Sequence, residues 1–164
     1  LKGCEARVVK KKQLLGESAY KQGAIERLGE ARVLLDSERF AGSIYLAGRG
    51  VEGVLRAIIW RHDVGVREGK VALETGHSLR MLLDRVRNLG LLTRDSRDDE
   101  FEAAIQKTGR EWHNDMRYFS AKLLESHWRR LSILNRRTTL KQAASAFYES
   151  CSAVVKRGVT LCER

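Results

Sequence analysis

No proline occurs in the 164 residues, while apolar residues recur every three or four positions along nearly the whole chain. Proline is the strongest helix breaker, since it locks φ and lacks the backbone N–H that the helix ladder needs. Without it, only glycines and polar caps can end a helix, and Pro-rich linkers and many tight-turned strands are excluded. The length fits one domain with a real core. Hydrophobic residues at 43% and charged residues at 32% describe a globular chain, neither disordered nor membrane-embedded. No stretch approaches the roughly 18 to 20 consecutive apolar residues that a bilayer span requires. The chain opens Leu1-Lys2-Gly3-Cys4, with neither a secretory pattern nor an initiator Met. It is therefore expected to be a trimmed or partial sequence, residing in the cytoplasm.

The periodicity predicts an all-α, up-and-down bundle of four long helices plus one shorter helix. Residues 1–17 read as a basic lead containing Lys10-Lys11-Lys12, and 18–164 as a single helical domain. A first helix is expected from about Ser18 to Ser37, with Ile25, Leu28, Ala31, Leu34 and Leu35 in one stripe. The second, about Phe40 to His62, is the most apolar and carries Gly42, Gly48, Gly50 and Gly53. Glycine is disfavoured inside helices by about 1 kcal/mol against Ala. Four of them imply close approach of other backbone, hence a central position. Asp63 to Gly76 reads as a charged loop, followed by a helix with Leu79, Leu82, Leu83 and Val86, capped by Ser78 or His77 and stopped by Gly90. Phe101, Ile105, Thr108, Trp112, Met116 and Phe119 then keep helical spacing, which predicts one helix over 101–119. A short helix near Ser120 and a last one from about Thr138 to Leu161 complete the chain. Trp60 and Trp128 are expected in the core or in dimer contacts.

Cys4, Cys151 and Cys162 are too few and too scattered for a disulfide framework or a metal site, and read as buried thiols in a reducing compartment. No metal or cofactor is expected. The net charge is +10, and 21 of the 31 basic residues are Arg. Such a surface attracts polyanions, and the planar Arg fork suits phosphate. A solubility surface and an acidic protein partner remain open as alternatives.

Two stretches carry a family likeness. Phe40-Ala41-Gly42-Ser43-Ile44-Tyr45-Leu46-Ala47-Gly48-Arg49-Gly50-Val51-Glu52-Gly53-Val54-Leu55-Arg56-Ala57 resembles the second helix of HEPN domains, and Gly76-His77-Ser78-Leu79 with Leu82-Leu83 resembles the opening of their third. Met116-Arg117-Tyr118 is a weaker echo of an Arg-Tyr pair in the same family. The resemblance implies a four-to-five-helix bundle that often dimerises. Activities in that family include metal-independent ribonucleases, toxin partners of nucleotidyltransferases, and nucleotide- or RNA-binding accessory domains. Its ribonucleases use an arginine followed, after four to six residues, by a histidine. At those distances Arg117 is followed by Lys122, Leu123 and Leu124, and His127 lies too far on. Arg56 and His62 match the spacing, at the frequency chance allows. The departure points away from ribonuclease activity.

On a continuous helix over 101–119, Arg110, His113, Asn114 and Arg117 would share one face, since offsets of three, four and seven return to the same side. Two guanidinium groups, an imidazole and an amide there suit a phosphate and a base or sugar. An ordinary solvated face is the competing reading. Arg49, Glu52 and Arg56 share a side of the buried second helix, so their charges need partners. A structural Glu52–Arg56 pair is one account. Another sets Arg49 or Glu52 across a cleft from Arg117 or His113. His77 reads as a cap or turn residue. The functional expectation is a HEPN-like nucleotide- or RNA-associated binding domain, with a bacterial toxin–antitoxin or defence system as a candidate setting. A homodimeric interaction module for a nucleotidyltransferase partner comes next, and a metal-independent ribonuclease using His113 third.

Overall fold

The computed structural model describes residues 15–73, 76–93 and 95–164. The Lys10-Lys11-Lys12 lead and Cys4 lie outside the described residues. Among those described there is no strand, and the chain folds as an all-α bundle. Its helices are α1 (Glu17–Asp36), α2 (Phe40–His62), the single turn α3 (Val64–Arg67), α4 (Leu79–Asn88), α5 (Ser96–Glu111), α6 (Ala121–Arg130) and α7 (Leu140–Cys162), with a 3-10 turn at Asn114–Tyr118 between α5 and α6. No helix among the described residues is long and apolar enough to cross a membrane.

The second helix is the axis of the molecule. It packs against α1, α3, α4, α6, α7 and the 3-10 turn, and buries residues on all its sides. Its glycines permit this. A Cβ on Gly50 would stand 3.1 Å from the Ala24 carbonyl oxygen, and one on Gly53 would stand 3.3 Å from that of Tyr20. Ser43 donates its hydroxyl to the Ala31 carbonyl at 2.8 Å, fixing the register of the α1–α2 hairpin. On the opposite side Gly158 of α7 receives the Val54 methyls. Phe147, Cys151, Val154 and Val155 of α7, with Trp128 of α6, fill the remaining core. Trp60 is only half-buried, whereas Trp128 is fully enclosed and tilts against Phe147. Burial pushes the Cys151 thiol up to about 12 and the Cys162 thiol to about 11, so both behave as small core residues.

Local signals set most helix ends. Ser78, Asp95, Ser120 and Thr139 each accept a backbone N–H of the first turn of the following helix, and Thr139 forms a capping box with Gln142. Gly90 turns the chain after α4 with φ of 68°. Asp63 caps the turn α3, which lies inside the stretch expected to be loop.

The expected helix over 101–119 is two elements. It stops at Glu111, and Trp112 is extended, with φ −132° and ψ 142°. Two long-range bonds hold the break open. Trp112 donates its indole Nε1–H to the Tyr45 carbonyl of α2 at 3.2 Å, and Trp128 donates its own to the Glu111 carbonyl at 3.1 Å, satisfying an end of α5 that would otherwise lack a partner. Met116 still reaches the core from the 3-10 turn. Arg110, His113, Asn114 and Arg117 therefore do not share a helix face.

Candidate functional site

Glu52 is the natural starting point, a carboxylate with 2% of its surface exposed on the most apolar helix. A buried charge is tolerated only when paired and hydrogen-bonded. Arg49 Nη1 lies 2.5 Å from Glu52 Oε2, and Arg56 Nε lies 2.9 Å from Oε1, both on the same helix one turn away. The third partner comes from a distant segment: His77 Nδ1 stands 2.8 Å from Glu52 Oε1. His77 occupies a turn with φ of 65°, which directs its ring back onto α2 while leaving part of it in solvent. Arg56 Nη1 also reaches the Leu73 carbonyl at 3.4 Å, tying the preceding loop to the same helix.

His77 Nδ1 meets a second neighbour, Arg49 Nη1, at 2.9 Å. One ring nitrogen cannot donate to the carboxylate and accept from the guanidinium at once. The buried carboxylate is the stronger acceptor, which favours the tautomer with the hydrogen on Nδ1, Arg49 bonding through Glu52 Oε2. His77 Nε2 has no hydrogen bond among the described residues.

In front of His77 opens a cleft of about 420 Å³. The His77–Arg80 segment forms one wall, and Gly109 with the Trp112–Asp115 segment forms the other. The break at Trp112 makes this opposite wall, because it turns His113 and Asn114 away from the axis of α5. His113 is held in a triangle of rings, edge-on to Phe119 and to His127 at centroid separations of 5.6 Å each. Its Nδ1 lies 3.9 Å from the exposed Asp115 carboxylate. Burial, then the neighbouring His113 and Arg130, depress the His127 imidazole below its ordinary value. Arg80, which forms no ion pair or hydrogen bond among the described residues, lines the cleft rim. A second groove of about 390 Å³ runs on from it between α4 and α5.

The residues singled out in the sequence are thus distributed over several places. His113 and Asn114 line the cleft, and Arg110 lines the second groove. Arg117 lines neither; it is exposed and lies over the ring of its neighbour Tyr118 at 4.7 Å. Arg49 and Glu52 do not face Arg117; they lie behind the cleft, bonded to His77. The Glu52–Arg56 pair is present as expected. Sequence reasoning missed Arg80 and undervalued His77 and His127. The available signal for His77 was Glu52 itself, whose buried charge required a partner from outside its own helix. Among the described residues no three His, Cys, Asp or Glu side chains converge as a metal site would require. No family model, curated protein or solved structure matches the chain.

Proposed function

We propose that this chain is a HEPN-like nucleotide- or RNA-associated binding domain whose ligand phosphate enters the cleft between the His77 turn and the Trp112–Asp115 segment. The observation that carries the reading is the convergence on this cleft of His77, Arg80, His113 and Asn114, with His77 anchored from behind by buried Glu52. A guanidinium and an amide beside two imidazoles offer charge-assisted donors to phosphate and flat rings to a base. The resemblance lends support in a physical way. The two stretches that carry it meet at the Glu52–His77 contact of 2.8 Å. A reducing, cytoplasmic setting and a role in a toxin–antitoxin or defence system belong to the same proposal.

The test is thermal stabilisation by a panel of nucleotides and short RNAs, with wild type, Arg80→Ala and Arg117→Ala in parallel. A ligand that binds only the folded state, present at a hundred times its Kd, stabilises it by about 2.7 kcal/mol. The shift is expected to vanish in Arg80→Ala and to persist in Arg117→Ala, which lies outside the cleft. A flat panel overturns the proposal.

A second reading, a homodimeric or interaction module for a nucleotidyltransferase-like partner, is favoured by Ile25 and Val33. These side chains stand two turns apart on α1 with 45% and 65% of their surfaces exposed. A ribonuclease using His113 with Arg110 or Arg117 ranks third, because the break at Trp112 sends the three side chains to different places.

A further inference from the structure

His113 immediately precedes the 3-10 turn Asn114–Tyr118 and Phe119 immediately follows it, both with extended backbone. The rings of these two residues meet edge-on, at a centroid separation of 5.6 Å. His127 of α6 closes the group, 5.6 Å from the His113 ring and 5.5 Å from that of Phe119. The turn is thus a loop of five residues drawn shut at its neck and fastened to α6 by three rings. Its own bonds are few: Met116 N–H to the His113 carbonyl and Phe119 N–H to the Met116 carbonyl, both at 3.0 Å.

We propose that this clasp is a pH-operated latch. It holds the Asn114–Tyr118 wall of the cleft against α6 while at most one imidazole is charged, and releases that wall when His113 and His127 are both protonated. The proposal goes beyond the binding reading and holds whatever the cleft admits.

The surroundings of the rings carry it. His127 meets rings rather than an acceptor, and its side chain forms no hydrogen bond or ion pair among the described residues. On its own helix Arg130 adds a positive charge, and Glu125 is bonded to Arg129 at 2.6 Å. From the turn, His113 faces it; Asp115 is exposed and stands 3.9 Å from His113 Nδ1, and Arg117 lies over Tyr118. At the end of α5, Glu111 is bonded to Lys107 at 2.7 Å. Each of these carboxylates is thus engaged away from His127. An aromatic ring attracts a cation over its face, so Phe119 can favour one imidazolium. Two imidazoliums with centroids 5.6 Å apart, beside Arg130, repel one another in a partly buried site. The folded protein favours the neutral His127 ring in agreement with this, through burial first and then His113 and Arg130.

The experiment is NMR on the unliganded protein at about pH 7.5 and about pH 5. It follows cross-relaxation among the three rings and the backbone order parameters of the Asn114–Tyr118 turn. Wild type is expected to show the ring contacts at the higher pH and to lose about tenfold of their intensity at the lower. Order parameters should fall from about 0.85 to below about 0.6. The contact of the Val54 methyls with Gly158, far from the clasp in the core, should persist at both. His127→Phe keeps a ring that takes no proton, so its contacts and order should hold at both pH values. His127→Gln gives up the ring along with the charge, so its order parameters should be low and independent of pH, which keeps the test decisive if the Phe variant does not fold. Wild-type ring contacts that persist at the lower pH overturn the latch. An equal loss in His127→Phe, or a pH-dependent fall in His127→Gln, overturns it as well. Simultaneous loss of the Val54–Gly158 contact also does so, because the whole protein rather than the wall would then be opening.

Discussion

Trp112 donates its indole N–H to the Tyr45 carbonyl at 3.2 Å through the gap left by Gly48, which has no side chain. That carbonyl belongs to α2 and has a second lone pair to spare. This bond, with that of Trp128 to the Glu111 carbonyl, ends α5 and sets the wall of the cleft. A Cβ on Gly48 would collide with the indole. Gly48→Ala is expected to destabilise the protein by about 1–3 kcal/mol, the usual range for overpacking, despite Ala's better helix propensity. Urea denaturation measures the loss, and the Trp112 indole N–H resonance reports displacement. An unshifted midpoint with an unmoved resonance would refute the account.

Removing the Glu52 charge leaves Arg49, Arg56 and His77 without their common anion and with one acceptor oxygen fewer. Breaking a buried ion pair costs about 3–5 kcal/mol. Because Arg49 and His77 are partly solvated, with 32% and 42% of their side chains exposed, Glu52→Gln should lie near the bottom of that range. Chemical denaturation checks the size. A loss below about 1 kcal/mol, no more than a surface pair contributes, would show that the cluster adds little to stability.

The depressed His127 imidazole makes stability depend on pH. Its ordinary value is 6.5, and the folded protein favours the neutral ring. The contribution is complete above 6.5 and is lost as pH falls through the lower folded value. Relative to His127→Gln, wild type should thus lose Tm as pH drops from about 7.5 to 5. A constant difference between the two proteins across that range would contradict this.

Asp98 has the same sign in a more acid window. Burial pulls its carboxyl up, but Arg157 and the Thr93 N–H and hydroxyl outweigh burial and hold it below the ordinary 3.8. Arg157 donates twice to Asp98 Oδ1, at 3.0 and 2.5 Å, joining the start of α5 to α7. Its stabilisation is present above 3.8 and disappears as pH falls through the folded value. Asp98→Asn should cost about 3–5 kcal/mol at neutral pH. Acid titration of the unfolding free energy should also show a shallower decline for the variant, and parallel curves would count against it.

Several elements were legible in the sequence because their causes are local. Phe40 and His62 bound α2 as its apolar pattern indicated, and Ser78 and Gly90 mark α4 as a cap and a stop. The crowding of glycines in α2 correctly indicated a central helix. The break at Trp112 was not legible. Thr108, Trp112 and Met116 keep helical spacing through it, and the bonds that end α5 come from Tyr45 and Trp128, at separations of 67 and 17 residues. The site suffered for the same reason. Its grouping of Arg110, His113, Asn114 and Arg117 assumed an unbroken helix, and the Glu52–His77 contact spans 25 residues that no periodicity relates.

The central position of α2 also has a consequence for hydrogen exchange. Its middle amides are wrapped by other helices and should exchange only when the whole protein opens. Asn114–Tyr118, a 3-10 turn of five residues with only Met116 buried, should open far more often. The cleft thus joins one wall anchored to the most persistent part of the molecule to another that can yield at small cost. Any widening of the cleft is then expected from the Asn114 side, while Glu52 keeps the His77 side in register.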